Sequence, residues 1–501
     1  MHPPPQLPAA LGAALLLALH PGTAGAQADA GAPPAVGPPG AISPLTPEEA
    51  AALQRLIEAI DVGPYEVPAL LLRQDLHYTR SAADVEPFGY VAPYKTHFLE
   101  QLQYRGPGRA TPEPEHLDTV KIGFIGPIER TVSVATGGVS HEEGLGQAML
   151  RGTQLALEEA NARGGYLARG IPFELVVKND NGLWGASGNE IVTMAYTDQV
   201  WAILGTIDGA NSHIAIRVAL KAEIVMMNTG DTDPTFIETN IPWVARCLGD
   251  DRQMGYLLAD YLFRKQGYER VGVIRASNRY GRFGVREVLD SARRLGHPVT
   301  IEMAYRVGAT DVSLQLQRIK GSDVQAVVHW GDAADGARIL NQMREMGMEQ
   351  PFLACDRCVS DEFLGIAGAN AEGVLCGFPW DPTREDPLFA AFQDAYRERF
   401  QLEPETYAAH AYDGMNMLIE AIQFGGLNRA KIRDVIAHRP GVFHGVTGKI
   451  PLSAVLDDIG EVFLARVENG AFRFYSREDL EIPRGPVPAP LAEGGAGAAA
   501  R

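Results

Sequence analysis

Residues 120–180 restrict what this chain can fold into more than any other stretch. VKIGFIGP (residues 120–127) is an apolar run stopped by Gly and Pro, the pattern of a strand buried on both faces. A polar loop leads to AMLRGTQLALEEANARGG (residues 148–165), where Met149, Thr153, Ala156, Leu157 and Ala160 share one helical face and Gly164 and Gly165 supply the stop. IPFELVVKND (residues 171–180) is then a second strand, and a strand-helix-strand crossover of this length returns right-handed with its strands parallel. The fold class expected is α/β with doubly wound parallel sheets, whose ligands sit outside the carboxyl ends of the strands.

At 501 residues the chain has room for two or three domains. Its formal net charge of −18, without a basic block to neutralise phosphates, argues against a nucleic-acid partner. Residues 1–26 read as a secretory signal peptide: AALGAALLLALH is the apolar core and Ala24-Gly25-Ala26 the cleavage site, although the segment ahead of the core has His2 and no Lys or Arg. No other run is long enough to span a bilayer, and no cysteine near the cleavage site supports a lipid anchor, so a periplasmic location is expected. Residues 27–44 read as a disordered linker. A helix begins at Thr46-Pro47-Glu48-Glu49, with a cap, a first-position Pro and first-turn acids. Residues 45–118 are a helical and aromatic segment whose aromatics (Tyr78, Phe88, Tyr90, Tyr94, Phe98) either extend the core of the domain that follows or form a docking surface.

Further strands are expected at residues 201–205, 224–228, 271–275, 300–304, 324–330 and 351–354, crossings at WVARCLGDD (243–251) and GVLCGFP (373–379), and a terminal hairpin at 461–475 turning on Asn469-Gly470. This order resembles the type I periplasmic substrate-binding proteins of the leucine/isoleucine/valine-binding class, the capture subunits of ABC importers. The resemblance runs from Val120 to Tyr475 through AILGTIDGANSHIAI, AEIVMMNTGDTDPTF, VGVIRASNRYGRFG, AVVHWGDAADGARILNQMREMG and YAAHAYDGMNMLIEAI. It implies two lobes joined by a hinge: residues 119–247 and 380–448 in the first, 248–379 and 449–482 in the second, with a disordered tail at 483–501. It further implies no enzymatic activity, no cofactor, and as partners a small polar ligand (an amino acid or related amide or amine) and ABC permease subunits, the chain itself being a monomer. A sensory protein that presents its closed form to a membrane receptor fits the same sequence.

In that family, first-lobe loops hold an amino acid's carboxylate by a Ser hydroxyl, backbone N–H groups and a Thr hydroxyl, and a second-lobe acid takes the ammonium. Carried over, the Ser falls on Gly209, the backbone donors on Gly230 and Asp231, the Thr on Thr232 and the acid on Asp356, with Tyr280 as a lining aromatic. Asn211 and Ser212 replace the missing hydroxyl after a one-turn shift, Asn228 and Thr229 belong to the same loop, and Tyr407 adds a wall. Asp208, Asp231, Asp332 and Asp356 all fall at the cleft mouth, where like charge repels a carboxylate. Either they select a cation, an amide, a polyol or a metal ion, or Asp208 and Asp231 only cap helices. Trp184 and the glycine-rich loop at 129–146 are further candidates for the cleft wall.

Four cysteines in an exported chain favour pairing, with Cys247–Cys376 across the hinge strands and Cys355–Cys358 locally. Cys355-Asp356-Arg357-Cys358 is also a C-x-x-C at a strand-to-helix junction, the basis of a rival redox reading. No further ligand is spaced as in zinc sites, so no metal is expected there. Gly137-Gly138-Val139-Ser140-His141 lacks the final Gly of a hydrolase elbow, and Gly144-Leu145-Gly146 is not a dinucleotide fingerprint.

Overall fold

The computed structural model describes residues 44–60, 62, 103–132, 139–142, 144–239 and 241–483. The expected signal peptide, all but the last residue of the expected linker, the aromatic stretch of the 45–118 segment and the tail beyond 483 lie outside these residues.

Helix α1 (Pro47–Glu58) opens the described chain, with Thr46 and Glu49 forming the reciprocal cap that its sequence pattern predicts. Strand β1 (Val120–Gly126) is followed by a hairpin of β2 (Glu129–Val132) and β3 (Val139–Glu142), then α2 (Gly144–Ala162) and β4 (Phe173–Asn179). Strand β4 lies parallel to β1 along its whole length, Val120 opposite Phe173 and Gly126 opposite Asn179. Helix α2 starts one turn before the sequence expectation, which assigned Gly144 and Gly146 to a loop. Gly146 is instead a contact residue: a Cβ there would stand 2.0 Å from the Pro127 carbonyl. Helix α3 (Trp184–Val192) precedes β5 (Ala202–Leu204), α4 (Gly209–Ala222), β6 (Val225–Asn228) and β7 (Val244–Arg246). The first sheet has the order β4-β1-β5-β6-β7, all parallel, so the strand order reverses at β1 and opens a crevice at the strands' carboxyl ends.

The second sheet is built from α5 (Asp251–Ala259), β8 (Val271–Ala276), α6 (Arg279–Arg294), β9 (Ile301–Tyr305), α7 (Ser313–Lys320), β10 (Ala326–Trp330), α8 (Ala333–Glu345), β11 (Phe352–Ala354), α9 (Asp361–Ala367) and β12 (Leu375–Phe378). The chain then returns to the first lobe with α10 (Pro387–Phe400), α11 (Thr406–Gly425) and α12 (Arg429–His438), and a small hairpin of β13 (Phe443–Gly445) and β14 (Gly448–Ile450) follows. Strands β15 (Phe463–Glu468) and β16 (Ala471–Tyr475) close the second sheet, whose order is β16-β15-β12-β11-β10-β8-β9. Only β15 runs against the other strands, so its pairings with β12 and β16 are antiparallel, and it turns into β16 on Asn469 and Gly470, both at positive φ as a two-residue hairpin requires. Strand β10 is buried at every residue because helices cover both faces, which is why its sequence AVVHW does not alternate. Helices α2 and α11 approach so closely that a Cβ on Gly152 would meet the Ala408 carbonyl at 2.0 Å.

At the hinge, Arg246 at the end of β7 is fully buried. It donates from Nε and Nη2 to Asp457 (2.7 and 2.9 Å), from Nη2 to Asp250 (3.0 Å), and from Nη1 to the carbonyls of Asp231 (3.2 Å) and Asp233 (2.8 Å). The expected Cys247–Cys376 bridge is not formed. Cys247 donates its backbone N–H to Asn228 in the first sheet, whereas Cys376 stands between Ala354 and Ala465 in the second. All four cysteines are free and buried, so Cys355 and Cys358 are thiols as well.

Candidate functional site

The loops after β5 and β6 meet those after β8, β10 and β11, and the meeting is closed by two arginines of the second lobe. Arg279, the first residue of α6, donates from Nε to Asp233 (2.8 Å) and from Nη2 to the Thr235 hydroxyl (2.7 Å). Arg357 lies in the one-turn helix after β11. It donates from Nη2 to Asp208 in the first lobe (3.0 Å) and from Nη1 to Asp332 in the second (2.9 Å), with its guanidinium 3.8 Å from the centroid of the Tyr280 ring. The Tyr280 hydroxyl donates to Asp356. Gly209, standing where the family's Ser falls, leaves room for one of these ties: a Cβ there would be 2.6 Å from Asp233 Oδ2 and 2.9 Å from Arg279 Nε.

The donors assigned to a carboxylate are already engaged within the first lobe. The Asn228 side-chain oxygen accepts from the backbone N–H groups of Gly230 (3.1 Å) and Asp231 (2.8 Å). Asn211 donates to Asp180 at 2.8 Å, and the hydroxyls of Ser212 and Thr206 bond each other at 2.6 Å. Thr232 is buried, its carbonyl accepts the Asp251 N–H at 2.9 Å, and its hydroxyl faces the Asp251 carboxyl, which it favours in the charged form.

What remains unsatisfied at this place is mostly acidic. Asp231 Oδ2, both oxygens of Asp251 and the Thr229 hydroxyl are buried and have no hydrogen-bond partner among the described residues. Burial, with Asp233 beside it, pushes the Asp231 carboxyl up to about 7. Burial and then the charge of Asp356 raise Asp251 well above the usual carboxylate range. Burial also raises Asp356, against the opposing effects of the Tyr280 hydrogen bond and Arg357. Asp251, Arg279 and Arg357 were not selected from the sequence. Asp251 follows the helix-capping Asp250 and has the pattern of an ordinary first-turn acid. Of the other candidates, Asp332 holds Arg357, Tyr407 is buried with its phenol beside that arginine, and Trp184 is the first residue of α3. The 129–146 stretch carries the β2–β3 hairpin and the start of α2. Open cavities of about 720 Å³ (by Pro112, Tyr196, Trp201 and Arg429) and about 590 Å³ (by Tyr256, Arg384, Lys449 and Val462) lie elsewhere.

Two lobes, a hinge and facing loop ends define a binding protein of the cleft-closing kind. A family model for the periplasmic binding protein matches residues 119–455, and the chain belongs to that family. Among relatives, the Leu/Ile/Val-binding protein homolog 2 of Brucella abortus is 28% identical over 311 residues, covering 62% of this chain and 82% of the relative. The "Amino acid binding protein" of Pseudomonas aeruginosa is 27% identical over 289 residues, 56% of this chain and 75% of its own. Among solved structures, a branched-chain amino acid transporter substrate binding protein from Streptococcus pneumoniae in complex with isoleucine aligns with a TM-score of 0.63 at 24% identity, covering 72% of this chain and 99% of that one. A solute binding protein from R. palustris in complex with benzoate aligns with a TM-score of 0.61 at 15% identity, over 72% of this chain and 96% of that one. At these identities the solved structures establish the type I periplasmic binding fold.

Proposed function

We propose that this chain is the monomeric, extracytoplasmic capture subunit of an ABC importer, with no catalytic role. Its cleft closes on a small cationic solute, an amine or a related cation that needs no free carboxylate. The family and the amino-acid ligands named for its relatives support capture of a small polar molecule. One observation carries the departure from a neutral amino acid: the first-lobe amide and hydroxyl donors are turned inward, while Asp231 Oδ2 and both oxygens of Asp251, the latter beside Asp356, are buried without a hydrogen bond of good geometry among the described residues. A buried carboxylate without a partner is costly, and a cation between these acids offsets that cost in the closed form alone, which is what drives closure.

The test is a thermal-shift screen of the chain from Gln27 onward against amines, amino acids, amides, polyols and organic acids at pH 8. Ligand at a hundredfold over its dissociation constant adds about 2.7 kcal/mol to the folded state, so a cation should raise the midpoint by several degrees. Asp251→Asn and Asp356→Asn should each abolish that rise. Hits confined to neutral amino acids, or an amine response unchanged in both variants, would overturn the cationic assignment.

A further inference from the structure

A second constellation lies under the cleft in the second lobe, built from residues that the capture of a solute does not use. His329 is on β10, Cys355 directly follows β11 and Cys358 ends the one-turn helix 356–358. Parallel pairing of β10 with β11, His329 opposite Ala354, brings the three together at the carboxyl ends of the strands. One nitrogen of His329 and the two sulfurs all lie within 4.8 Å of one another, and all three residues are fully buried. Cys358 Sγ is 3.6 Å from His329 Nδ1. A metal held at about 2.3 Å from sulfur and about 2.0 Å from nitrogen needs ligand atoms no farther apart than roughly 4 Å, so small side-chain rotations suffice.

We propose that His329 Nδ1, Cys355 Sγ and Cys358 Sγ form a closed binding site for a single thiophilic metal ion, monovalent copper. Soft thiolates select Cu(I) and zinc, but structural zinc takes four ligands, and three fully buried ligands suit Cu(I). The surroundings are arranged for such an ion. His329 Nε2 is 2.9 Å from the Tyr305 hydroxyl, the second contact that directs Nδ1 toward the sulfurs. Cys355 Sγ accepts the Gly331 N–H (3.5 Å) and, as a thiol, donates to the Gly331 carbonyl (3.0 Å), a bond that is given up when the metal replaces the proton. A Cβ on Gly336 would meet His329 Nδ1 at 2.9 Å and Cys358 Sγ at 3.0 Å, so glycine is what lets the two ligands share this space. Binding replaces two thiol protons by one Cu(I) and releases both protons, with no change of oxidation state.

The experiment is an anaerobic Cu(I) titration of the reduced chain from Gln27 onward, in competition with a chromophoric Cu(I) chelator, followed by X-ray absorption at the copper edge. The expected result is one Cu(I) per chain with two sulfur and one nitrogen neighbours. Cys355→Ser and Cys358→Ser should abolish retention, while Cys247→Ser and Cys376→Ser should keep it. Tyr305→Phe leaves all three ligands in place and should weaken retention roughly 10–100-fold, which keeps the proposal testable if the serine variants do not fold. Failure of the wild-type chain to hold Cu(I) against the chelator would overturn the proposal. So would retention that survives loss of both Cys355 and Cys358, tighter retention of Zn(II) than of Cu(I), or a Cys355–Cys358 disulfide in protein isolated from the periplasm.

Discussion

Asp251 stands at the foot of the cleft with the Thr232 hydroxyl facing it but neither oxygen in a well-formed hydrogen bond, and burial raises its proton affinity. A carboxyl whose pKa is raised by folding adds stability below the ordinary carboxylate range and loses it as pH rises through the folded value. For Asp231 that window runs from 3.8 to about 7, and Asp251 shifts in the same direction. Without a cation, the chain should therefore melt at lower temperature at pH 8 than at pH 5. The Asp231→Asn/Asp251→Asn double variant should flatten this slope and melt several degrees higher at pH 8, since each unpaired buried group costs about 1–3 kcal/mol. Scanning calorimetry at the two pH values checks it; parallel slopes would show that these acids are paired in solution. Tyr280 and Asp356 are expected from the family resemblance and Asp332 from its place after an apolar strand run, where a doubly wound sheet places its ligands, and all three lie against Arg357 or its neighbours. Arg357 was not, because only the turn at 356–358 aims its guanidinium across the cleft. The role of Asn228 was missed for a similar reason: capture of its own loop's N–H groups depends on the loop's path.

Among the elements, those with strong local patterning were read correctly from the residues: the β1–α2–β4 crossover, the capped α1 and the Asn469-Gly470 hairpin. The β2–β3 hairpin was not, since its pairing is between two polar stretches without apolar alternation. Nothing in the sequence of the 45–118 segment announced its anchor either. Leu53 and Ile57 of α1 are buried and α1 packs on α11 and α12, while Tyr104 meets Trp243 with ring centroids 4.6 Å apart. Between them Arg109 forms a buried ion pair with Asp434 of α12, and Asn428 donates to the carbonyls of Gly108, Arg109 and Thr111. Asp434 also accepts from Arg433 at 3.1 Å. Asp434→Ala should lower stability by about 3–5 kcal/mol, because it leaves buried guanidinium charge without its carboxylate. Urea unfolding measures the loss, and solute affinity should stay unchanged, which separates an anchor of the first lobe from a part of the cleft.

The whole molecule is held shut by charges that it supplies itself, and this sets how it responds to a ligand. Arg279 and Arg357 carry the cross-lobe contacts to Asp233, Thr235 and Asp208, and neither is fully withdrawn from water: their side chains are 27% and 8% exposed. Ion pairs with that much solvent contribute modestly, about 0.2–1 kcal/mol for the more exposed, so the two together bias closure by about tenfold rather than locking it. A solute that binds the closed form adds to that bias, and a closed form already populated raises apparent affinity in proportion. The Arg279→Ala/Arg357→Ala double variant should therefore open in solution. Small-angle X-ray scattering should report a larger radius of gyration than wild type without ligand, and a saturating amine should restore the wild-type value. Apparent affinity should fall by about the factor by which the closed population falls, because in this variant the ligand alone supplies the free energy of closure. If the radius is unchanged, closure is set by the hinge around Arg246 and not by the two arginines across the cleft.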